Sequence, residues 1–186
     1  QVVSSTGPAA QWRRDGKMAE GIETLATYLH LARASGQRKQ PLTKDKLLIL
    51  AGVAAAENGL EEVGAYCRRV VLEHNPQHLV RAWPTLEDAL ADEDFQAYLK
   101  QLRRQYALEK AEHMLAALGI QVSGERGSYF SDHEYAVALL GHTPESITAA
   151  MARPLATPVR SSESAEPATS AARYHLAVWV ALPTVI

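Results

Sequence analysis

Cysteine is almost missing from this 186-residue chain. A single thiol, Cys67, excludes an internal disulfide framework and points to a reducing compartment, so the expected location is cytoplasmic. A surplus of either charge is missing too. Nineteen Lys and Arg stand against twenty-one Asp and Glu, for a net charge of -2. That balance gives no electrostatic reason to expect nucleic acid or an anionic membrane. No apolar run approaches the roughly 18 residues that a membrane helix needs. The longest, Leu176 to Leu182 ("LAVWVAL"), is far too short to span. The opening "QVVSSTGPAAQWRR" lacks the basic start and continuous apolar core of a signal peptide, although a chain that begins at Gln1 leaves an upstream segment open.

Catalytic signatures are also missing. The chain contains no Gly-x-x-x-x-Gly-Lys-Ser/Thr, Gly-x-Gly-x-x-Gly or Gly-x-Ser-x-Gly sequence. Phosphate-cradling loops and the hydrolase elbow therefore lack support. Neither His-Glu-x-x-His nor Cys-x-x-Cys occurs. His74 and His78 have the four-residue spacing of paired ligands, but Pro76 between them breaks a shared helical face. Asp132, His133 and Glu134 are adjacent, so on a helix they do not face one site. In Glu109, Glu112 and His113 the Glu-x-x-His spacing of bundle metal sites is not met, because Lys110 lies three before the histidine. Cys67, between Tyr66 and Arg68 on an expected helix, reads as a small buried packing residue rather than a nucleophile. No cofactor and no metal is expected. Enzymatic activity is disfavoured, with scattered-residue sites left open.

What the chain does have is helical periodicity. Met18, Ile22, Leu25, Leu29 and Ala32 recur at spacings of three and four, predicting a helix over 17–35 closed by Gly36. Further helices are expected at about 44–58 (capped by Thr43), 60–74, 85–91, from Asp92 with Phe95, Tyr98, Leu99 and Leu102 on one face, 108–118, 131–140 and 144–153. Thr85, Asp92, Ser131 and Thr143 are their N-caps. Trp83 is expected as a core anchor at the turn "RAWPT". Residues 1–16 read as a flexible segment and 17–153 as an all-α domain. Residues 154–186 read as a Pro/Ser/Ala/Thr-rich linker followed by an apolar tail. The fold class is all-α, with helical hairpins packed as a small bundle or short solenoid-like array.

Within that domain, "AGVAAAENGLEEVGAYCRRVVLEHNP" carries three glycines among good helix formers. An interior glycine costs about 1 kcal/mol relative to alanine, which a close approach of two backbones can offset. Gly52 and Gly64 are expected where two antiparallel helices meet, with Gly59 in the turn between them. This hairpin, residues 45–78, resembles a tetratricopeptide repeat, a 34-residue helix-turn-helix unit. Leu48 stands at the bulky position, Ala51-Gly52 at leucine-glycine and Gly59 at the turn. Gly64 stands at the small position, Val71-Leu72 at the closing apolar pair and Pro76 at the terminal proline. Ala55 and Arg68 depart from the family's aromatics. No second copy appears at a 34-residue offset, where Met18 and Leu86 replace the paired glycine. A lone unit must therefore pack on neighbouring helices.

The resemblance implies a protein-protein interaction or scaffolding module with a protein or peptide partner, self-association being open. In the family, peptides lie along the first helix, here the face of Lys46, Ile49, Val53, Ala56 and Glu57. The other reading of that face is cover by the chain's own helices. A nucleic-acid-associated regulator is the alternative function, using Arg68, Arg69, Lys100, Arg103 and Arg104. It requires those five side chains on one surface. Against it, Asp92, Glu93 and Asp94 open the helix that Arg103 and Arg104 close, as the helix dipole favours on any solvated helix.

Overall fold

The computed structural model describes residues 8–122 and 124–154, with side chains described from Ala19 onward. Among these residues there are eight α-helices and no strand: α1 (Pro8–Gln37), α2 (Pro41–Glu57), α3 (Glu61–His74), α4 (Leu86–Leu90), α5 (Glu93–Gln105), α6 (Leu108–Ala117), α7 (Asp132–Leu139) and α8 (Pro144–Met151). Two 3-10 turns, Leu79–Ala82 and Glu125–Ser128, complete the described chain. The helices pack as a small all-α bundle around α2, which touches α1, α3, α4 and α5. The linker and apolar tail expected beyond Pro154, and residues 1–7, lie outside the described residues.

The caps act as the side-chain chemistry demands. Thr85, Ser131 and Thr143 each accept the backbone N–H three residues on, and Asp92 accepts from both Asp94 and Phe95. Phe95, Leu99 and Leu102 form the buried stripe of α5. Trp83 is half-buried rather than a core anchor, with its ring edge-on to Phe95 at 5.4 Å.

Three local expectations are corrected. First, α1 starts at Pro8, nine residues before the helix start expected at 17. Second, α1 runs through Gly36 to Gln37, and the turn is made by Lys39 at φ 56°. Gly36 stays helical at an exposed position, where a Cβ would meet Lys44 Cδ at 3.4 Å, an ordinary contact, so packing does not require glycine there. Third, α2 is opened not by Thr43 but by Gln40 and Pro41, proline at the first helical position having its φ preset and no N–H to satisfy.

The paired glycines meet as the hairpin requires. A Cβ on Gly64 would lie 3.1 Å from Gly52 O, and one on Gly52 would lie 3.1 Å from Cys67 Cβ and 2.6 Å from Leu86 Cδ1. The α2 and α3 backbones are therefore in contact, with α4 closing over them. Gly59, at φ 72°, turns the chain and lets Leu60 N–H reach back to Ala55 O at 2.8 Å. Nearly the whole middle of α2, Leu47 to Ala55, is buried.

Candidate binding site

The face of α2 suggested for a peptide is covered by the chain itself. Ile49 and Val53 are buried, Lys46 and Ala56 are half-buried, and Glu57 is exposed. Both ends of the stripe are tied to α5: Lys46 Nζ donates to Gln105 Oε1 at 3.3 Å, and Glu57 pairs with Arg103 at 2.7 Å. A lone hairpin leaves this face bare, and here neighbouring helices supply the cover.

The five cations suggested for nucleic acid are divided between two roles. Arg68 donates to Val80 O at 3.1 Å, and burial holds its pKa below the ordinary value. Arg69 is buried, donates to Arg153 O at 2.5 Å and pairs with Glu73 at 2.8 Å. Both therefore tie α3 to neighbouring chain segments. Arg103 is paired with Glu57, while Lys100 and Arg104 are exposed on α5. The structure does not bring the five together as one free basic surface.

Three histidines tie separate segments of the chain together. His74 bonds the buried Asp45 at 2.5 Å, His30 bonds Glu125 at 3.0 Å and His133 bonds Glu62 at 3.1 Å. Tyr135, whose hydroxyl pKa is raised by burial and then by Glu125, donates to that same Glu125. Asp132, His133 and Glu134 have separate partners: Arg126, Glu62 and Phe130 N–H. Among the described residues, no three His, Cys, Asp or Glu side chains converge on a position that could hold a metal ion. Cys67 is fully buried, and burial pushes its thiol up to about 12, so the nucleophilic thiolate is suppressed.

One aromatic side chain stands apart from this network. Phe130 is 100% exposed, just ahead of the Ser131 cap of α7. An apolar residue in that position commonly packs on the fourth helical residue, here Tyr135. Tyr129 takes that place instead, its ring 5.1 Å from Tyr135. The turn is held on all sides: Arg126 pairs with Asp132 and donates to Tyr129 O at 2.8 Å, and Phe130 N–H donates to Glu134 at 2.9 Å. Phe130 is thus a bare ring on a fixed backbone. Sequence reasoning missed it because "SYFSDHEY" offers two adjacent aromatics for one packing position.

A cleft of about 340 Å³ opens where α1, α2 and α3 meet the C-terminal end of α7. Leu29, Leu48, Val70 and Leu139 give it apolar walls, and Arg33 and Lys44 reach it from α1 and α2. Tyr66 and His142 close one side, 2.6 Å apart. The Ser146 hydroxyl donates to Thr143 O, so its oxygen accepts from His142 Nδ1–H, and His142 Nε2 accepts from Tyr66. Comparison with protein-family models, curated proteins and solved structures finds no match to this chain.

Proposed function

We propose that this chain is a non-catalytic protein-binding module, with Phe130 as the anchor that a partner protein receives. The observation that carries this reading is a fully exposed aromatic ring on a backbone fixed by bonds from Arg126 and Glu134. Binding free energy concentrates in large side chains that enter a partner's pocket, and a fixed backbone leaves less conformational freedom to lose on binding. The tetratricopeptide-like hairpin of α2 and α3 is in this reading the rigid scaffold rather than the recognition face, because Ile49 and Val53 are already covered. A reducing, cytoplasmic location accords with the single buried thiol.

The test is capture from a native cell lysate at low and moderate salt with two baits, wild type and Phe130→Ala. A protein retained by wild type at both salts and lost from Phe130→Ala, with the melting temperature of the bait unchanged, is the expected outcome. Identical proteins on both baits would overturn the reading. Nucleic acid alone, lost as salt rises, would replace it with one built on Lys100 and Arg104. A second copy of the chain among the retained proteins would make the partner the protein itself.

A further inference from the structure

The cleft between α1, α2, α3 and the end of α7 combines features that the protein-binding reading does not use. Its walls are aliphatic, and several of its residues (Leu29, Leu48, Leu139) belong to the core while still reaching the cleft surface. Its volume, about 340 Å³, lies within the range of roughly 300–1,000 Å³ typical of small-molecule sites. Two cations, Arg33 and Lys44, stand at the same opening.

Lys44 of α2 lies close to α1, its Cδ 3.4 Å from where a Cβ on Gly36 would stand. Arg33 is three residues earlier on α1, hence on the same face one turn away. Among the described residues neither cation has a carboxylate partner, whereas Arg69, Arg103 and Arg126 each do. Arg33 also borders a second depression that contains Glu125, and no ion pair joins the two.

We propose that this cleft is a binding site for a small amphipathic anion: an aliphatic chain lying among Leu29, Leu48, Val70 and Leu139, with its carboxylate between Arg33 and Lys44. Charge decides the class. An uncharged aliphatic ligand leaves both cations unused, and an amine meets repulsion from each. A carboxylate gains charge-assisted hydrogen bonds from a guanidinium and an ammonium beside an apolar surface. Tyr66 adds polarity on the third side; with its proton donated to His142, it offers the ligand an oxygen that accepts rather than donates. That arrangement makes the two cations, not the Tyr66–His142 pair, the elements that select for the anion.

The probe is octanoate, with octylamine and octanol as charge controls, followed by amide chemical shifts and by calorimetry on the full chain. Saturable one-site binding of octanoate is expected, with shifts confined to residues 29–36, 44–48, 66–70 and 139–142. Octanol should bind at least tenfold more weakly, and octylamine should not bind. The double variant Arg33→Ala/Lys44→Ala should lower octanoate affinity by tenfold or more. Gly36→Leu leaves both charges in the chain and sets a side chain against Lys44 at the cleft, so it should weaken octanoate binding while helix propensity at this exposed position keeps the melting temperature from falling. Equal binding of octanoate and octylamine, shifts elsewhere on the bundle, no binding at millimolar octanoate, or unchanged affinity in both variants would each overturn the proposal. None of these results bears on Phe130, so the two readings fail separately.

Discussion

The α2–α3 hairpin and the α7–α8 pair are held in place by different kinds of contact. Between α2 and α3 the contact is backbone on backbone at Gly52 and Gly64, with Cys67, Leu86 and the aliphatic middle of α2 filled in around it. By contrast, α7 and α8, which also bury Tyr135, Val137 and Ile147 in the core, are tied to α3 by several polar side chains. Glu62 of α3 accepts from both His133 of α7 and Thr148 of α8, Tyr66 bonds His142 just beyond α7, and Arg69 reaches Arg153 O just beyond α8. Close packing leaves no room for a ligand. Polar ties separated by gaps do, and the cleft and Phe130 both adjoin the α7 region. Binding surfaces fall where packing is least complete, because a sealed core has no unused surface to offer.

This contrast can be tested from its strong side first. Gly52→Ala places a methyl group against Leu86 and Cys67. It should destabilise the fold by about 2 kcal/mol even after a helix-propensity gain of about 1 kcal/mol. Urea unfolding would measure the loss, and alkylation of the buried Cys67 should accelerate in step. A stability equal to wild type would mean that the hairpin is looser than its geometry indicates.

Next comes the polar side. Glu62→Ala removes one acceptor shared by α7 and α8 and should cost about 1 kcal/mol, discounted because the pair is partly exposed. Hydrogen exchange should speed up in α7 and α8 while Cys67 alkylation stays slow. Equal acceleration in both places would erase the distinction between the two regions.

The smallest effect concerns His78, which joins the chain after α3 to Tyr98 of α5. Burial lowers its pKa below the ordinary value of 6.5, with Asp45 opposing. The unfolded chain therefore takes up this proton at a higher pH than the folded one. The stability His78 confers is present above the unfolded pKa and is lost as pH falls toward the folded pKa. Melting temperature should therefore fall less between about pH 7.5 and pH 5 in His78→Asn than in wild type; asparagine can still accept from Val80 N–H but does not titrate. Parallel pH curves would remove His78 from the account.

Local chemistry made much of the fold legible. The caps at Thr85, Asp92, Ser131 and Thr143 and the turn at Gly59 are each set within a few residues, so spacing and residue type identify them. Gly52 and Gly64 were legible for the same reason, because helix formers around a costly glycine imply a close neighbour. Gly36 carries the same composition signal without that use, because a Cβ there would make only an ordinary contact with Lys44. The candidate sites were far less legible. Whether Ile49 and Val53 face a partner or the chain's own helices is set by where the neighbouring helices lie, and hairpin geometry does not say.

The sequence by itself determined most of the helices, the caps at Thr85, Asp92, Ser131 and Thr143 and the close approach within the hairpin, because those follow from backbone hydrogen bonding and side-chain volume over short separations. Tertiary structure alone decided that Arg68 and Arg69 turn inward, that Phe130 stays bare while Tyr129 packs, and that Arg33 and Lys44 share the mouth of one cleft. Each of those outcomes depends on residues far apart in the chain competing for the same space, and no local pattern records which of them occupies it.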